Sequence, residues 1–221
     1  MKQLAEGLFQ LRGFPPNAIN VYLAGDVLID AATRHAGRRI LRQIEGHALK
    51  AHALTHVHPD HQGASRLVCE RRGVPLWCGE ADAPAMEDGD IAARQPPSRL
   101  NTLSARFWAG PPRAVDRRLR NGDEVGSFTV IDTPGHSAGH VAYWRASDRV
   151  LILGDVLFGC NPLTGIPGLH VPPDGFSPDP ARNRQSVREM AALEPELVCF
   201  GHGPPLRDAG KLRDFAAGLA G

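Results

Sequence analysis

A dense cluster of metal-binding side chains constrains this chain more than any other feature of its sequence. Residues 55–64 read THVHPDHQGA, which puts His56, His58, Asp60 and His61 within six positions. The chain has 10 histidines among 221 residues, so chance would produce this spacing about once in a thousand such sequences. Neutral imidazole suits zinc, iron and related ions, and a carboxylate adds a hard oxygen ligand. The cluster therefore predicts a metal site, and its density is enough for more than one ion.

Three further candidate ligands stand beside glycines at the ends of predicted strands. They are His136 in TPGHSAGH, Asp155 in LILGD and His202 in FGHG. Each has an ordinary structural alternative: His136 as a helix cap, Asp155 as a turn cap and His202 as a buried, hydrogen-bonded histidine. A hydrolytic site with two metals needs more ligands than the cluster supplies, and these three would complete it. His140, also in the TPGHSAGH segment, is expected to support the ligands and not to bind metal.

The first half of the chain predicts a β-hairpin, a helix, a strand and a second helix. The hairpin spans residues 19–23 and 27–30 around the Gly25-Asp26 turn. The helix covers residues 34–46 and is closed by Gly46. LKAHALTH is then a short strand that delivers the cluster, with His56 and His58 on one side. A helix over QGASRLVCERRG ends at Gly73, and VPLWCG follows as a strand.

The second half repeats this order loosely. FTVIDTPGH and VAYWRASDRVLILGD predict strands, residues 181–193 a helix with Asp179 as its N-cap, and ELVCFGHGPP a strand that ends in a histidine. The repeat indicates two related β-rich layers with helices on their outer faces and strand-end loops that meet at one edge. Coincidence of common elements is the alternative. Residues 81–120 show less pattern, with a candidate helix between Pro96-Pro97 and Pro111-Pro112 and an exposed-looking Phe107-Trp108 pair. The Pro/Gly-rich residues 156–180 are expected to be irregular.

The four histidine and aspartate motifs resemble those of the metallo-β-lactamase superfamily. THVHPDHQGA, PGHSAGH, LGDVLF and FGHGPP occur in the family's order, across residues 17–205. The resemblance implies an α/β fold of the αββα sandwich type and a dinuclear site. It also implies a first metal on His56, His58 and His136, a second on Asp60, His61 and His202, and Asp155 as the bridge between them. In this reading Asp60 also moves a proton to the leaving group, and a hydroxide that bridges the metals attacks a carbonyl.

Three details narrow the branch of the superfamily. Flavodiiron oxidoreductases typically carry glutamate at the position of His58, so hydrolysis is favoured over electron transfer. True β-lactamases of the family generally lack the bridging aspartate, which here is Asp155. The chain most resembles glyoxalase II-like and lactonase-like hydrolases, which act on thioesters or lactones. Only a short segment follows Pro205, where glyoxalase II has a helical C-terminal domain, and this argues against a glutathione thioester as substrate.

The composition indicates the domain organisation and the class of partner. A net charge of +1 and 42% apolar residues are typical of one globular domain, here over residues 1–221. Neither value indicates nucleic acid or a membrane as a partner. No signal peptide is evident, so a cytoplasmic location is expected. Cys69, Cys78, Cys160 and Cys199 lack metal-site spacing and are expected to be buried thiols.

The sequence therefore predicts a metal-dependent hydrolase of a small molecule, with two divalent ions. Zinc is the expected metal, and iron and manganese are the other candidates. The alternatives are a mononuclear iron sulfur dioxygenase and a metal-binding protein without catalysis. Phe107, Trp108 and residues 156–180 either line the substrate pocket or belong to the core. The substrate and the oligomeric state are left open by the sequence.

Overall fold

The computed structural model describes residues 1–219, in which two β-sheets pack face to face. The first sheet has seven strands that lie side by side in chain order. The first four form antiparallel pairs, whereas the last three continue the sheet in parallel. These strands are β1 (Lys2–Ala5), β2 (Leu8–Gln10), β3 (Tyr22–Ala24), β4 (Val27–Ile29), β5 (Ala51–Ala53), β6 (Leu76–Gly79) and β7 (Arg117–Leu119).

The second sheet has five strands in the order β14-β11-β10-β9-β8. Its strands pair in antiparallel fashion except β11 and β14, which run parallel. A separate two-stranded hairpin, β12–β13, extends from the end of β11. These strands are β8 (Glu124–Val125), β9 (Phe128–Asp132), β10 (Val141–Arg145), β11 (Val150–Gly154), β12 (Phe158–Cys160), β13 (Pro167–His170) and β14 (Leu197–Phe200).

Seven α-helices cover the outer faces and the edge loops of the described chain. Four short 3₁₀ turns join them, at Arg34–Ala36, Glu80–Asp82, Ala92–Arg94 and Asp174–Phe176. The α-helices are α1 (Gly37–Gln43), α2 (Pro59–Gln62), α3 (Ser65–Arg72), α4 (Ala83–Asp88), α5 (Arg99–Trp108), α6 (Pro180–Ala191) and α7 (Ala209–Ala217).

Strand alternation explains why the sheets are covered on both faces. In β4, Val27 and Ile29 face the second sheet and join Val130 and Ile152 in the layer between the sheets. Leu28 points the other way and packs under α1 and α3. Because successive strand residues face opposite sides of the sheet, one apolar strand contributes both to the core between the sheets and to the core under the helices. The outer face of the second sheet is covered in the same way by α6 and α7, which completes the predicted αββα order.

Most sequence-predicted elements are confirmed, and two differ. The first helix is regular only to Gln43, and the chain continues as a turn through Gly46, whose φ is 79°. Residues 156–180 are not wholly irregular, because they contain the β12–β13 hairpin. The sequence of this hairpin has no strand-like periodicity. Its turn is stabilised by Asn161, whose side-chain oxygen accepts hydrogen bonds from the backbone N–H groups of Leu163 and Thr164. A local side-chain bond of this kind replaces the usual turn signal.

Candidate metal centre

All seven predicted ligands lie where strands end at one edge of the sandwich. The cluster follows β5 and runs into α2, and His136 lies in the loop between β9 and β10. Asp155 and His202 come just after β11 and β14, which are parallel neighbours. Because the carboxyl ends of parallel strands meet at the same edge, these two side chains are brought side by side. The two halves of the chain thus contribute to one site.

The seven side chains form three overlapping groups whose ligand atoms lie within 4.8 Å of one another. One group comes from the first motif and the β9–β10 loop, a second joins the cluster to β11, and a third joins it to the loop after β14. The groups are His56, His58 and His136; His56, His61 and Asp155; and Asp60, His61 and His202. The first and third are the two ligand sets expected from the family resemblance, and each combines two residues of the first half with one of the second.

Asp155 lies between these two sets. Its Oδ2 is 3.1 Å from Nε2 of His202 and 3.3 Å from Nε2 of His61. The same oxygen is 3.6 Å from Nε2 of His136 and 3.9 Å from Nε2 of His56. One carboxylate oxygen therefore faces imidazole nitrogens of both sets. This is the position that a ligand shared by two ions must occupy.

Hydrogen bonds at Nδ1 of three of the proposed histidine ligands leave Nε2 of each ring facing the centre. Nδ1 of His56 pairs with Thr55 Oγ1 at 3.1 Å, and Nδ1 of His136 pairs with Ser177 Oγ at 3.1 Å. Nδ1 of His202 donates to the carbonyl of Ala18. A proton on Nδ1, which the Ala18 carbonyl requires at His202, leaves the lone pair of Nε2 for a metal.

Asp30 holds His61 and Thr55 in place through hydrogen bonds to its carboxylate. Its carboxylate accepts Nδ1–H of His61 at 2.9 Å, the backbone N–H of Thr55 at 2.8 Å and the Thr55 hydroxyl at 2.8 Å. The Thr55 hydroxyl thereby has an oxygen lone pair left for Nδ1–H of His56. Asp30 is 1% exposed, so these bonds operate where water does not compete. The sequence marked this residue only as a strand end.

Asp82 connects the two histidine-bearing loops. It accepts the N–H of Val57 at 2.9 Å from the first motif. From the β9–β10 loop it accepts the Ser137 hydroxyl at 2.7 Å and the N–H of Gly139 at 2.7 Å. It is buried, at 5% exposure. Sequence analysis missed it because it lies in the 81–120 stretch and contacts partners distant in sequence.

His140 supports Asp155 from behind, as the sequence predicted. The backbone N–H of Asp155 donates to Nε2 of His140 at 3.1 Å, so the His140 proton lies on Nδ1 and faces Thr133 Oγ1 at 2.8 Å. Burial, with positive neighbours, lowers the pKa of His140 to about 3, which keeps the ring neutral. A neutral acceptor is what this hydrogen bond requires.

Two glycines leave room for this packing. A Cβ at Gly201 would lie 1.9 Å from Oδ1 of Asp155 and 2.7 Å from Cε1 of His61. Gly154 has φ +60° and would place a Cβ 2.8 Å from Nε2 of His140. Both the left-handed backbone and the lack of space at position 154 require glycine.

The electrostatics of the site favour positive charge. Burial opposes ionisation of Asp155, but the adjacent His202 and His61 hold its pKa well below the usual range. Burial likewise opposes protonation of His61, yet Asp155, Asp30 and Asp60 raise its pKa to about 10. Carboxylates buried among imidazoles attract a cation, and a divalent ion supplies that charge more compactly than protons do.

The unpaired polar atoms fit metal ions. Nε2 of His56, His61 and His136 is buried with no hydrogen-bond partner, and so is Oδ1 of Asp155. Buried polar atoms without partners cost free energy unless something satisfies them. Nitrogen and carboxylate donors in this arrangement suit zinc or iron.

A cavity of about 440 Å3 opens onto the site, and His58, Asp60, His136, Asp155 and His202 form its floor. Trp108 and Phe158 are among its walls, which supports the prediction that Trp108 lines the pocket. Phe107 is about half exposed and is not a core residue.

The four cysteines are buried, as expected. Burial raises the pKa of Cys69 to about 11 and that of Cys199 to about 12, so these thiols stay protonated.

The two packed sheets and the histidine and aspartate groups at their edge define a metal-binding αββα sandwich. The profile of the metallo-beta-lactamase superfamily matches residues 14–202. The chain belongs to the metallo-beta-lactamase superfamily. Its relatives among known proteins include probable metallo-hydrolases and hydroxyacylglutathione hydrolases. The family match and the solved structure described below confirm the predicted family and fold.

Two curated relatives and one solved structure illustrate the match. The chain is 31% identical over 200 residues to the probable metallo-hydrolase YflN of Bacillus subtilis (strain 168), across 81% of this chain and 76% of that protein. It is 31% identical over 156 residues to a hydroxyacylglutathione hydrolase of Fuscovulum blasticum, across 67% of this chain but 46% of that enzyme. The chain thus spans less than half of that hydrolase.

The solved structure is that of the B3 metallo-beta-lactamase BLEG-1. It superposes with a TM-score of 0.72 at 27% identity, across 97% of this chain and 100% of that one. Within residues 1–219, no helix is both long and apolar enough to cross a membrane.

Proposed function

We propose that this protein is a dinuclear metal-dependent hydrolase that cleaves an ester-like bond, a thioester or a lactone, in a small molecule. The position of Asp155 Oδ2, 3.1 to 3.9 Å from imidazole nitrogens of both ligand sets, carries the proposal. His56, His58 and His136 would hold one ion, and Asp60, His61 and His202 the other. Asp155 would be the ligand common to both.

Two divalent ions, of which zinc is our first choice and iron or manganese the alternatives, would lower the pKa of a water between them from about 15.7 to near 7 and polarise the substrate carbonyl. The chain supplies the remaining functions. Asp30, Asp82 and His140 hold the ligands in place through buried hydrogen bonds. The cavity walls beside the proposed ligands are mainly apolar, so a bound apolar substrate would displace water from the reacting bond.

Asp60 is our candidate for proton transfer. It lines the cavity, and its Oδ2 lies 3.3 Å from Nε2 of His202. Burial opposes ionisation, but His61 and His202 keep the pKa of Asp60 well below its usual range, so the carboxylate is ionised. As the oxygen of water bonds to the carbonyl carbon and the bond to the leaving oxygen or sulfur breaks, Asp60 would pass the water's proton to that leaving atom.

The test combines metal analysis with a substrate panel. Purified protein should carry two equivalents of metal and hydrolyse a thioester or a lactone faster than a phosphodiester. Asp155→Ala should lose one equivalent and lower kcat/KM more than about a hundredfold, because several kcal/mol of charge stabilisation depend on the metals. Its circular dichroism should be unchanged. Asp132→Ala, an exposed aspartate at the end of β9, is the matched control and should retain both ions.

Two results would replace this proposal. A single iron per chain with oxygen uptake would establish the sulfur dioxygenase alternative. A metal-loaded protein that hydrolyses no member of the panel would establish metal binding without catalysis. Undiminished turnover by Asp155→Ala would refute the bridging role of that carboxylate.

A further inference from the structure

The part of the cavity lining that residues 1–219 supply contains no lysine or arginine. Apart from the proposed ligands, the walls are mainly apolar and include Ile19, Trp108, Phe158 and Phe176. Their polar side chains, Gln95, Ser104 and Asn161, are uncharged. A substrate with carboxylates distant from its scissile bond would find no lysine or arginine here to pair with them. Because unpaired charges are costly where water is scarce, such substrates are disfavoured.

Segments that line the cavity also carry exposed apolar side chains. In the described part of the chain, the large apolar side chains that are well exposed all belong to three segments, and each segment also contributes residues to the cavity wall. We call this set the collar: Phe14 (88% exposed), Leu100 (59%), Leu103 (50%), Phe107 (51%), Trp108 (45%), Leu163 (93%) and Ile166 (63%).

Helix α5 joins the collar to the cavity. Ser104 and Trp108 line the cavity. At about 100° per residue, they lie only about 40° and 80° around the helix from Leu100. Leu103 and Phe107 lie within about 60° on the other side of Leu100. The exposed apolar stripe therefore borders the cavity-facing side of the same helix, and an apolar chain that leaves the cavity would pass directly onto it.

We propose that the substrate is an uncharged ester-like molecule with a medium or long apolar chain, whose carbonyl reaches the metal centre while the chain lies along the cavity and the collar. This inference rests on the proposed hydrolase function and deepens it. Continuity between the cavity walls and the collar identifies the occupant as part of the substrate. Ligand-binding grooves are one of the settings in which soluble proteins keep apolar side chains exposed side by side.

The test uses pairs of thioesters that share an acyl chain and differ in charge. S-acyl-N-acetylcysteamines are neutral, whereas S-acylglutathiones carry two carboxylates. From butanoyl to decanoyl, below micellar concentrations, kcat/KM for the neutral series should rise about fourfold per methylene, which corresponds to about 0.8 kcal/mol. Each glutathione partner should be at least tenfold poorer. A series of γ-lactones with lengthening alkyl chains should follow the same trend.

Leu103→Ser should lower the decanoyl-to-butanoyl ratio of kcat/KM at least fivefold. Thr102→Ala is the matched control, since Thr102 is exposed on the opposite side of α5 and lies outside the collar, and the ratio should not change. A ratio near one in the unmodified protein, or preference for the glutathione series, would overturn the inference and leave the hydrolase proposal intact.

A readout without turnover separates the two proposals. Metal-free protein titrated with decanamide by calorimetry should bind it, and Leu103→Ser should weaken that binding. Binding together with no hydrolysis of any ester would sustain the apolar site and reject the hydrolase. Absence of binding would reject the apolar site. Sedimentation that shows a dimer converted to monomer by Leu103→Ser would also reject it, because the collar would then be an interface between copies.

Discussion

Replacement of Asp82 by alanine should both destabilise the protein and loosen its metal site. The carboxylate accepts three hydrogen bonds, two from the backbone N–H groups of Val57 and Gly139 and one from the Ser137 hydroxyl. The hydroxyl can rotate to another acceptor, but the two buried N–H groups cannot. At roughly 1–3 kcal/mol for each unsatisfied donor, Asp82→Ala should lower the free energy of unfolding by about 4 kcal/mol.

Urea unfolding of the metal-free protein measures that loss without interference from bound ions. Asp82→Asn keeps one acceptor oxygen and should lose less, so it supplies a folded variant if alanine does not. In both variants, competition with a chelator should show metal binding weakened at least tenfold at the set His56, His58 and His136, because the loops that carry these residues are no longer tied together. Asp88→Ala, which removes an exposed partner of Arg94, is the control and should leave the unfolding midpoint unchanged.

A loss of less than about 1 kcal/mol in Asp82→Ala would contradict this role, since removal of a buried acceptor of three hydrogen bonds should cost more. Loss of stability with unaltered metal affinity would show that Asp82 holds the fold but does not position the ligands.

Two further predictions use other buried groups. Burial lowers the pKa of His52 to about 4, against about 6.5 when unfolded. Its contribution to stability is therefore complete above pH 6.5 and falls as the pH drops toward 4, by about 3 kcal/mol in all. His52→Gln should flatten the difference in urea stability between pH 7 and pH 4.5 in the metal-free protein, and an unchanged slope would contradict this assignment. Gly201→Ala should displace Asp155, since the added Cβ would lie 1.9 Å from its Oδ1, and elemental analysis should find less than two equivalents of metal. Gly175→Ala, where a Cβ meets nothing within 4 Å, should bind the full amount.

The clustering of the seven candidate ligands could be predicted because their sequence signal is local. Spacing alone predicts a metal site at His56, His58, Asp60 and His61. The remaining candidate ligands follow the ends of strands that can be predicted from their apolar patterns. The layered fold follows for the same reason, since β4 and its counterpart β11 read as clear strands. Period-two and helical patterns survive in a single sequence because they depend on near neighbours.

The supporting residues could not be predicted, because their partners are far away in the chain. Asp82 acquires its role only when the β9–β10 loop packs against it. Ser177, which pairs with His136, lies in a Pro/Gly-rich stretch that has no periodic pattern. The candidate helix between the two proline pairs is confirmed as α5, but its place beside the cavity could not be predicted, because it depends on contacts with segments distant in sequence. These are facts of tertiary contact, which spacing does not encode.

The division of each ligand set between the two halves of the chain has a mechanical consequence. His136 and His202 come from the second sheet's loops, whereas their companions in each set come from the loop after β5. Each bound ion would therefore be a cross-link between the sheets, and its binding free energy would add to the free energy of unfolding, because the unfolded chain has no preformed site. Because each set needs residues of both halves, metal uptake would report that the two sheets have packed together. Removal of the metal by a chelator would weaken the contact between the sheets before either sheet unfolds.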